Sequence, residues 1–168
     1  MPQSLKIEID LRDKIRVYRR QYLANKVFCH GEFKKYIRKR QKKHKTAWAD
    51  VANQMYVEAS NLSAFLKLNN IRKEKCKLNY AFWLTVAFAD NYNDAIQLME
   101  FTGNTFLNER KIMSIIEVLL QQCDYYLSPI DRMEAMEKVI ESFNDKTNER
   151  FDKDNYIELK KHGVIKLG

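Results

Sequence analysis

VANQMYVEASNLSAFL, residues 51 to 66, decides the fold. Val51, Ala52 and Met55 fall at helical spacing, and Leu62, Phe65 and Leu66 resume that spacing after an interruption at Tyr56 to Glu58. Two helices joined by so short a turn cross steeply and bury small or apolar residues where they meet. Ala52 is the small residue expected at that crossing, and Val57 the plug in the angle between the helices. With Leu62, Phe65 and Leu66 turned inward, the opposite face of the second helix holds Ser60, Ala64 and Lys67, flanked by Asn61 and Ser63.

Outward from this pair the chain keeps its helical period. Ahead of it, FKKYIRKRQKKHK begins with Phe33, Tyr36 and Ile37 on one stripe and then carries eight Lys or Arg in the twelve positions from Lys34 to Lys45. Thr46 or Ala47 opens the helix of Trp48, Val51, Ala52 and Met55, and the next runs from about Ala59 to Leu68. After it comes a basic loop with Arg72, Lys73, Lys75 and Lys77. Leu78 to Ala89 reads as a hydrophobic helix ended by Asn91, and Asn93 as the cap of a helix stopping at Gly103. Asn108 caps a helix carrying Ile112, Ile115, Ile116, Leu119 and Leu120. Ser128-Pro129-Ile130-Asp131 is a start signal for a last long helix whose apolar face is Met133, Met136, Val139, Ile140 and Phe143.

The ends are less regular. Leu5, Ile7, Ile9 and Leu11 alternate like a strand, a helical pattern from Asp10 runs to about Val27, and Cys29-His30-Gly31 breaks it. Beyond Asn144 the chain is charged and predicts at most one weak helical turn before Gly163. With 4 Gly and 2 Pro in 168 residues, the composition favours long helices over tight turns.

Charge separates the chain into unlike parts. Residues 1–50 hold 15 Lys or Arg against 5 Asp or Glu, whereas residues 121–168 hold 8 against 10. A positive field so concentrated attracts polyanions. No apolar run reaches the roughly 18 residues of a membrane span, and MPQSLKIEIDLRDK lacks a signal-peptide core, so a cytoplasmic protein that does not enter membranes is expected. Cys29, Cys76 and Cys123 form no CxxC pair, no second pair joins Cys29-His30 at ligand spacing, and an odd count makes no disulfide framework. No Gly-rich phosphate loop, convergent carboxylates or nucleophile–base pair occurs, so neither catalysis nor a metal or other cofactor is expected.

The helix pair, the basic helix before it and VAFADNYNDAIQLMEFTG after it together resemble the lambda-repressor-like (XRE) helix-turn-helix family, over about residues 33–103. The resemblance implies an all-α protein: a five-helix helix-turn-helix domain over residues 32–104, a basic N-terminal arm or helix (1–31), two further C-terminal helices (105–145) for packing or dimerisation, and a charged tail (146–168). It also implies a bacterial or phage transcriptional regulator that binds double-stranded DNA, nucleoid-associated when bound, with the helix after the turn in the major groove. The strong apolar faces of the Asn108–Phe143 helices, free to pack back or to form a dimer interface, favour a homodimer. Base-reading candidates are Ser60, Asn61, Ser63, Ala64 and Lys67; phosphate candidates are Lys39, Lys42, Lys43, Lys45, Trp48, Arg72, Lys73, Lys75 and Lys77. The sequence departs from the family pattern at Tyr56, where Gly is usual, at Glu58, where Ser or Thr is usual, and at Trp48, where Gln is common. These departures keep open an alternative, an interaction or inhibitor protein on the same scaffold whose partner is a nucleoprotein complex.

Overall fold

The computed structural model describes residues 30–67, 76–104, 106, 111–146 and 153–165. Among them are eight helices and no strand: α1 (His30–His44), α2 (Trp48–Met55), α3 (Ala59–Lys67), α4 (Leu78–Phe88), α5 (Tyr92–Phe101), α6 (Lys111–Gln122), α7 (Pro129–Lys146) and α8 (Lys153–Lys161). The fold class is all-α. The strand-like and helical patterns before residue 29 lie outside the described residues.

The centre is α4, a helix apolar all round and buried at every position from Ala81 to Phe88, as a helix surrounded by others must be. Around it pack α1, α5 and α7; α2 lies on α3 and α7, and α6 joins α5, α7 and α8. Trp83, Phe82 and Phe88 are almost wholly withdrawn from solvent, each contributing roughly 1.5–3 kcal/mol through burial. The apolar faces of α6 and α7 close the same core: Ile116, Leu119, Leu120, Met133, Met136 and Ile140 are all buried within the chain. Of the two uses the sequence left open for these faces, packing and dimerisation, these buried residues serve packing.

One buried cation holds the α4–α7 contact together. Arg132, 3% exposed, donates from one terminal nitrogen to the carbonyls of Val86, Ala87 and Ala89 and from the other to Tyr125 and Leu127. Three of those carbonyls belong to the C-terminal end of α4, where helical oxygens lack partners and the dipole favours positive charge. Burial lowers the guanidinium pKa from its ordinary value.

Several boundaries differ from the sequence reading for local reasons. His30 starts α1 instead of breaking a helix, and α1 continues through the whole basic run to His44. Phe88 ends α4 and Ala89 is extended; Asn91 is not its C-cap but the N-cap of α5, accepting the Asp94 amide at 2.8 Å. Asn93, expected to be that cap, lies inside the helix. The tail forms a two-turn helix, α8, because Leu159 and the following Val164 find places in the core. The start signal at Ser128 is as read: Pro129 opens α7, and the Ser128 hydroxyl meets Asp131 at 2.8 Å.

Candidate nucleic-acid interface

The turn between α2 and α3 is closed by two backbone bonds, Tyr56 N–H to the Asn53 carbonyl (3.1 Å) and Val57 N–H to the Ala52 carbonyl (3.1 Å). This is the hydrogen-bond pattern of a Schellman closure, and it places Tyr56 in the left-handed region at φ 55°. Ala52 is buried at the crossing and Val57 packs against the core between the helices. The turn between α1 and α2 has the same pattern, with Lys45 bonded to Lys42, Thr46 bonded to Gln41, and Lys45 at φ 52°. Gln41 reinforces it by donating to the Thr46 carbonyl at 2.6 Å.

Of the nine residues of α3, only Leu62 and Leu66 are buried. Ser60, Asn61, Ala64 and Lys67 are exposed together on one side, whereas Ser63 is half-buried at its edge. The rear of α3 is anchored. Phe65 stacks on Tyr80 with ring centres 5.1 Å apart, the Lys34 ammonium lies 5.2 Å from the Phe65 ring centre, and the Arg38 guanidinium donates to the Leu66 carbonyl. Glu58 precedes the helix and its carbonyl accepts the first two amides, from Asn61 and Leu62. A carboxylate there suits the helix dipole and repels an approaching phosphate.

The eight cations of the basic run have different fates. Arg40 turns inward, pairs with Asp90 and lies 4.8 Å over the Tyr36 ring. Tyr36 donates to Asp94 at 2.8 Å and accepts the Asp90 amide at 3.0 Å, which fixes α1 to the start of α5; burial raises its phenol pKa. Lys34 and Arg38 brace α3. Lys35, Lys39, Lys42, Lys43 and Lys45 stay exposed.

Of the phosphate candidates, Lys39, Lys42, Lys43, Lys45 and Lys77 are thus at the surface, and Arg72, Lys73 and Lys75 lie outside the described residues. Trp48 is half-buried and packs edge-on against Phe88 at 5.7 Å, so its ring belongs to the core contact of α2. Ala47, the residue before α2, supplies no side-chain cap, and its carbonyl accepts the amides of Asp50 and Val51. Burial, then the neighbouring charge of Lys43, lowers the pKa of His44, so this ring adds no charge to the patch at neutral pH.

Arg38 and Lys34 were not singled out as anchors of α3 from the sequence. A signal for Arg40 existed: it falls four residues after Tyr36 and seven after Phe33, on the inward stripe of α1. Nothing in the periodicity pointed to the Arg38–Leu66 contact, which joins residues 28 positions apart. Compared with family models, with curated proteins and with solved structures, the chain gives no match.

Proposed function

We propose that this protein is a sequence-specific, double-stranded DNA-binding transcriptional regulator built on a lambda-repressor-like helix-turn-helix, with α1 to α5 as its five-helix unit and α3 as the recognition helix. The observation that carries the reading is the state of α3: a short helix with a small polar outer face, anchored from behind, entered through a tight turn and bordered by exposed lysines. Asn61 has the amide geometry to pair with adenine, the Ser60 hydroxyl donates or accepts, and Ala64 is small enough to rest on a thymine methyl. Lys43 and Lys45 ahead of α2, and Lys77 ahead of α4, position the duplex without reading it.

Two copies on a pseudo-palindrome belong to this proposal, joined through a surface other than the buried faces of α6 and α7. Selection from a randomised duplex pool is the test. The expected result is an enriched two-fold motif whose binding falls roughly a thousandfold between 50 and 200 mM salt if about six phosphates are engaged. A pool that binds in a salt-dependent way but never enriches would remove the regulator reading.

A second reading has one observation in its favour. Tyr56 is 61% exposed at the turn beside Glu58, an aromatic and an acid where a DNA-facing surface is better served by glycine and a hydroxyl. Exposed tyrosines are characteristic of protein interfaces. An adaptor or inhibitor that docks through this turn would be recognised by loss of partner binding in Tyr56→Ala with no loss in Asn61→Ala.

A further inference from the structure

We propose that the groove between α1 and the C-terminal end of α3 is a second seat for the phosphate backbone of the bound duplex, and that Arg38 couples that seat to the recognition helix. The inference rests on the DNA-binding reading. It adds Lys35 and Arg38 to the phosphate candidates named from the sequence.

The groove encloses about 460 Å³ and is lined by Lys34, Lys35, Arg38, Lys39 and Lys42 from α1, with Leu66 of α3 and Gly31 completing it. Among the described residues its lining carries five cations and no carboxylate. The spacing is helical: Lys35, Arg38, Lys39 and Lys42 form one stripe, and the pairs 34–38, 35–39 and 38–42 each set like charges four residues apart. Such pairs destabilise a helix. The one acid of α1, Glu32, lies in its first turn and does not line the groove. Positive charge gathered in a concave site concentrates potential, and a chain of phosphates relieves it.

The same cations reach the recognition helix. Arg38 donates to the carbonyl of Leu66, in the last turn of α3 where carbonyls lack intrahelical partners. That contact uses one of its five N–H donors, leaving others for phosphate oxygens. Lys34 lies over Phe65 on the adjoining position of α3. A phosphate held here is therefore one side chain away from the helix that reads bases, and Arg38 acts as a positioning residue.

The test uses the full chain and fluorescence anisotropy. On a random-sequence duplex, the triple variant Lys35→Gln/Lys39→Gln/Lys42→Gln is expected to flatten the plot of log affinity against log salt by about 2 to 3, near 0.9 for each charge lost. Its urea midpoint should hold or rise, since all three side chains are exposed and mutually repulsive. A slope within about 0.5 of the original protein overturns the seat. On the selected duplex, Arg38→Gln should lower the affinity ratio over a scrambled duplex. Arg38→Lys, which keeps the charge without the fork, should lower the ratio while keeping the slope. Arg38 variants that shift only the urea midpoint, or a protein with no preference to lose, overturn the coupling.

Inorganic pyrophosphate separates a free ligand from a backbone. If pyrophosphate protects the original protein but not the triple variant, while the DNA slopes coincide, the groove takes a free polyphosphate and the proposal is wrong. If the triple variant flattens the slope while Ser60→Ala and Asn61→Ala change no preference, the seat stands and base reading by α3 fails. The opposite pattern keeps the reading and removes the seat.

Discussion

Four helix-ending turns place a residue in the left-handed region among the described residues, and they fall into two pairs. After α5 and α8 the residues are Gly103 and Gly163, at φ 82° and 70°, for which this conformation carries no side-chain penalty. On the two sides of α2 they are Lys45 and Tyr56, at φ 52° and 55°, where a side chain costs about 1–2 kcal/mol. The closing hydrogen bonds are alike in all four. What differs is the demand at the surface. The turns after α5 and α8 lead into buried contacts, through Asn104 and Val164, whereas those around α2 carry an exposed lysine and an exposed tyrosine at the proposed interface. On the DNA-binding proposal, strain kept where glycine would do is what a functional surface is expected to show.

The same division runs through the polar residues. In the half built on α4, charge is withdrawn to hold structure, with Arg132 spanning five carbonyls. In the half built on α1 to α3, most of the charge faces outward.

The largest expected effect lies in the buried half. Arg132→Met leaves five carbonyls without their donor and should cost about 3–5 kcal/mol in urea unfolding, a large part of a domain's stability. A loss below about 1 kcal/mol would show that water satisfies those oxygens and that the α4–α7 contact does not depend on the guanidinium.

In the outward half the effect should fall on binding instead. Asn61→Ala is expected to weaken the selected duplex by about 1–3 kcal/mol, with an unchanged urea midpoint, since Asn61 is exposed.

Tyr56→Gly sharpens the comparison of turns. It relieves the left-handed penalty and adds roughly 0.4–1 kcal/mol of unfolded-chain entropy, so stability should hold or rise by up to about 1 kcal/mol. A clear loss would mean that the tyrosine packs in a way that offsets its backbone cost.

At neutral pH the smallest effect is that of the thiols, which act on stability only in alkali. Burial pushes Cys76 and Cys123 up to about 12, above their ordinary 9.0. The folded state therefore holds its protons longer than the unfolded one, and stability should decline as pH rises from 9.0 towards 12. Neither thiol should react with an alkylating reagent at pH 8 unless urea is present; rapid labelling of Cys76 would contradict its burial.

Much of this was legible in the sequence, because helical periodicity reports burial directly. The spacing of Val51, Ala52 and Met55 against Leu62, Phe65 and Leu66 placed both helices to within a residue or so, and Ala52 and Val57 occupy the positions read for them. Arg132 was overlooked although it falls four residues before Met136 and seven before Val139, on the buried stripe of α7. A charge at a core position is easily assigned to solvent, since three of its five carbonyl partners lie about 45 residues away in the chain. The fate of the basic run was illegible for the same reason. Asp90, the Phe65 ring and the Leu66 carbonyl become partners of Arg40, Lys34 and Arg38 only once α1 lies beside them. The tail was misread because two apolar residues, Leu159 and Val164, suffice to dock a short helix when a core is already present.

The central claim is that the outward face of α3 reads bases. Its most direct test is the ratio of affinities for selected and scrambled duplexes, measured at one salt concentration for the original protein, Ser60→Ala and Asn61→Ala. The account predicts a ratio that falls about tenfold or more in Asn61→Ala while affinity for the scrambled duplex stays constant. Equal ratios in all three proteins would contradict it and leave α3 as a helix that touches DNA, if at all, without reading it.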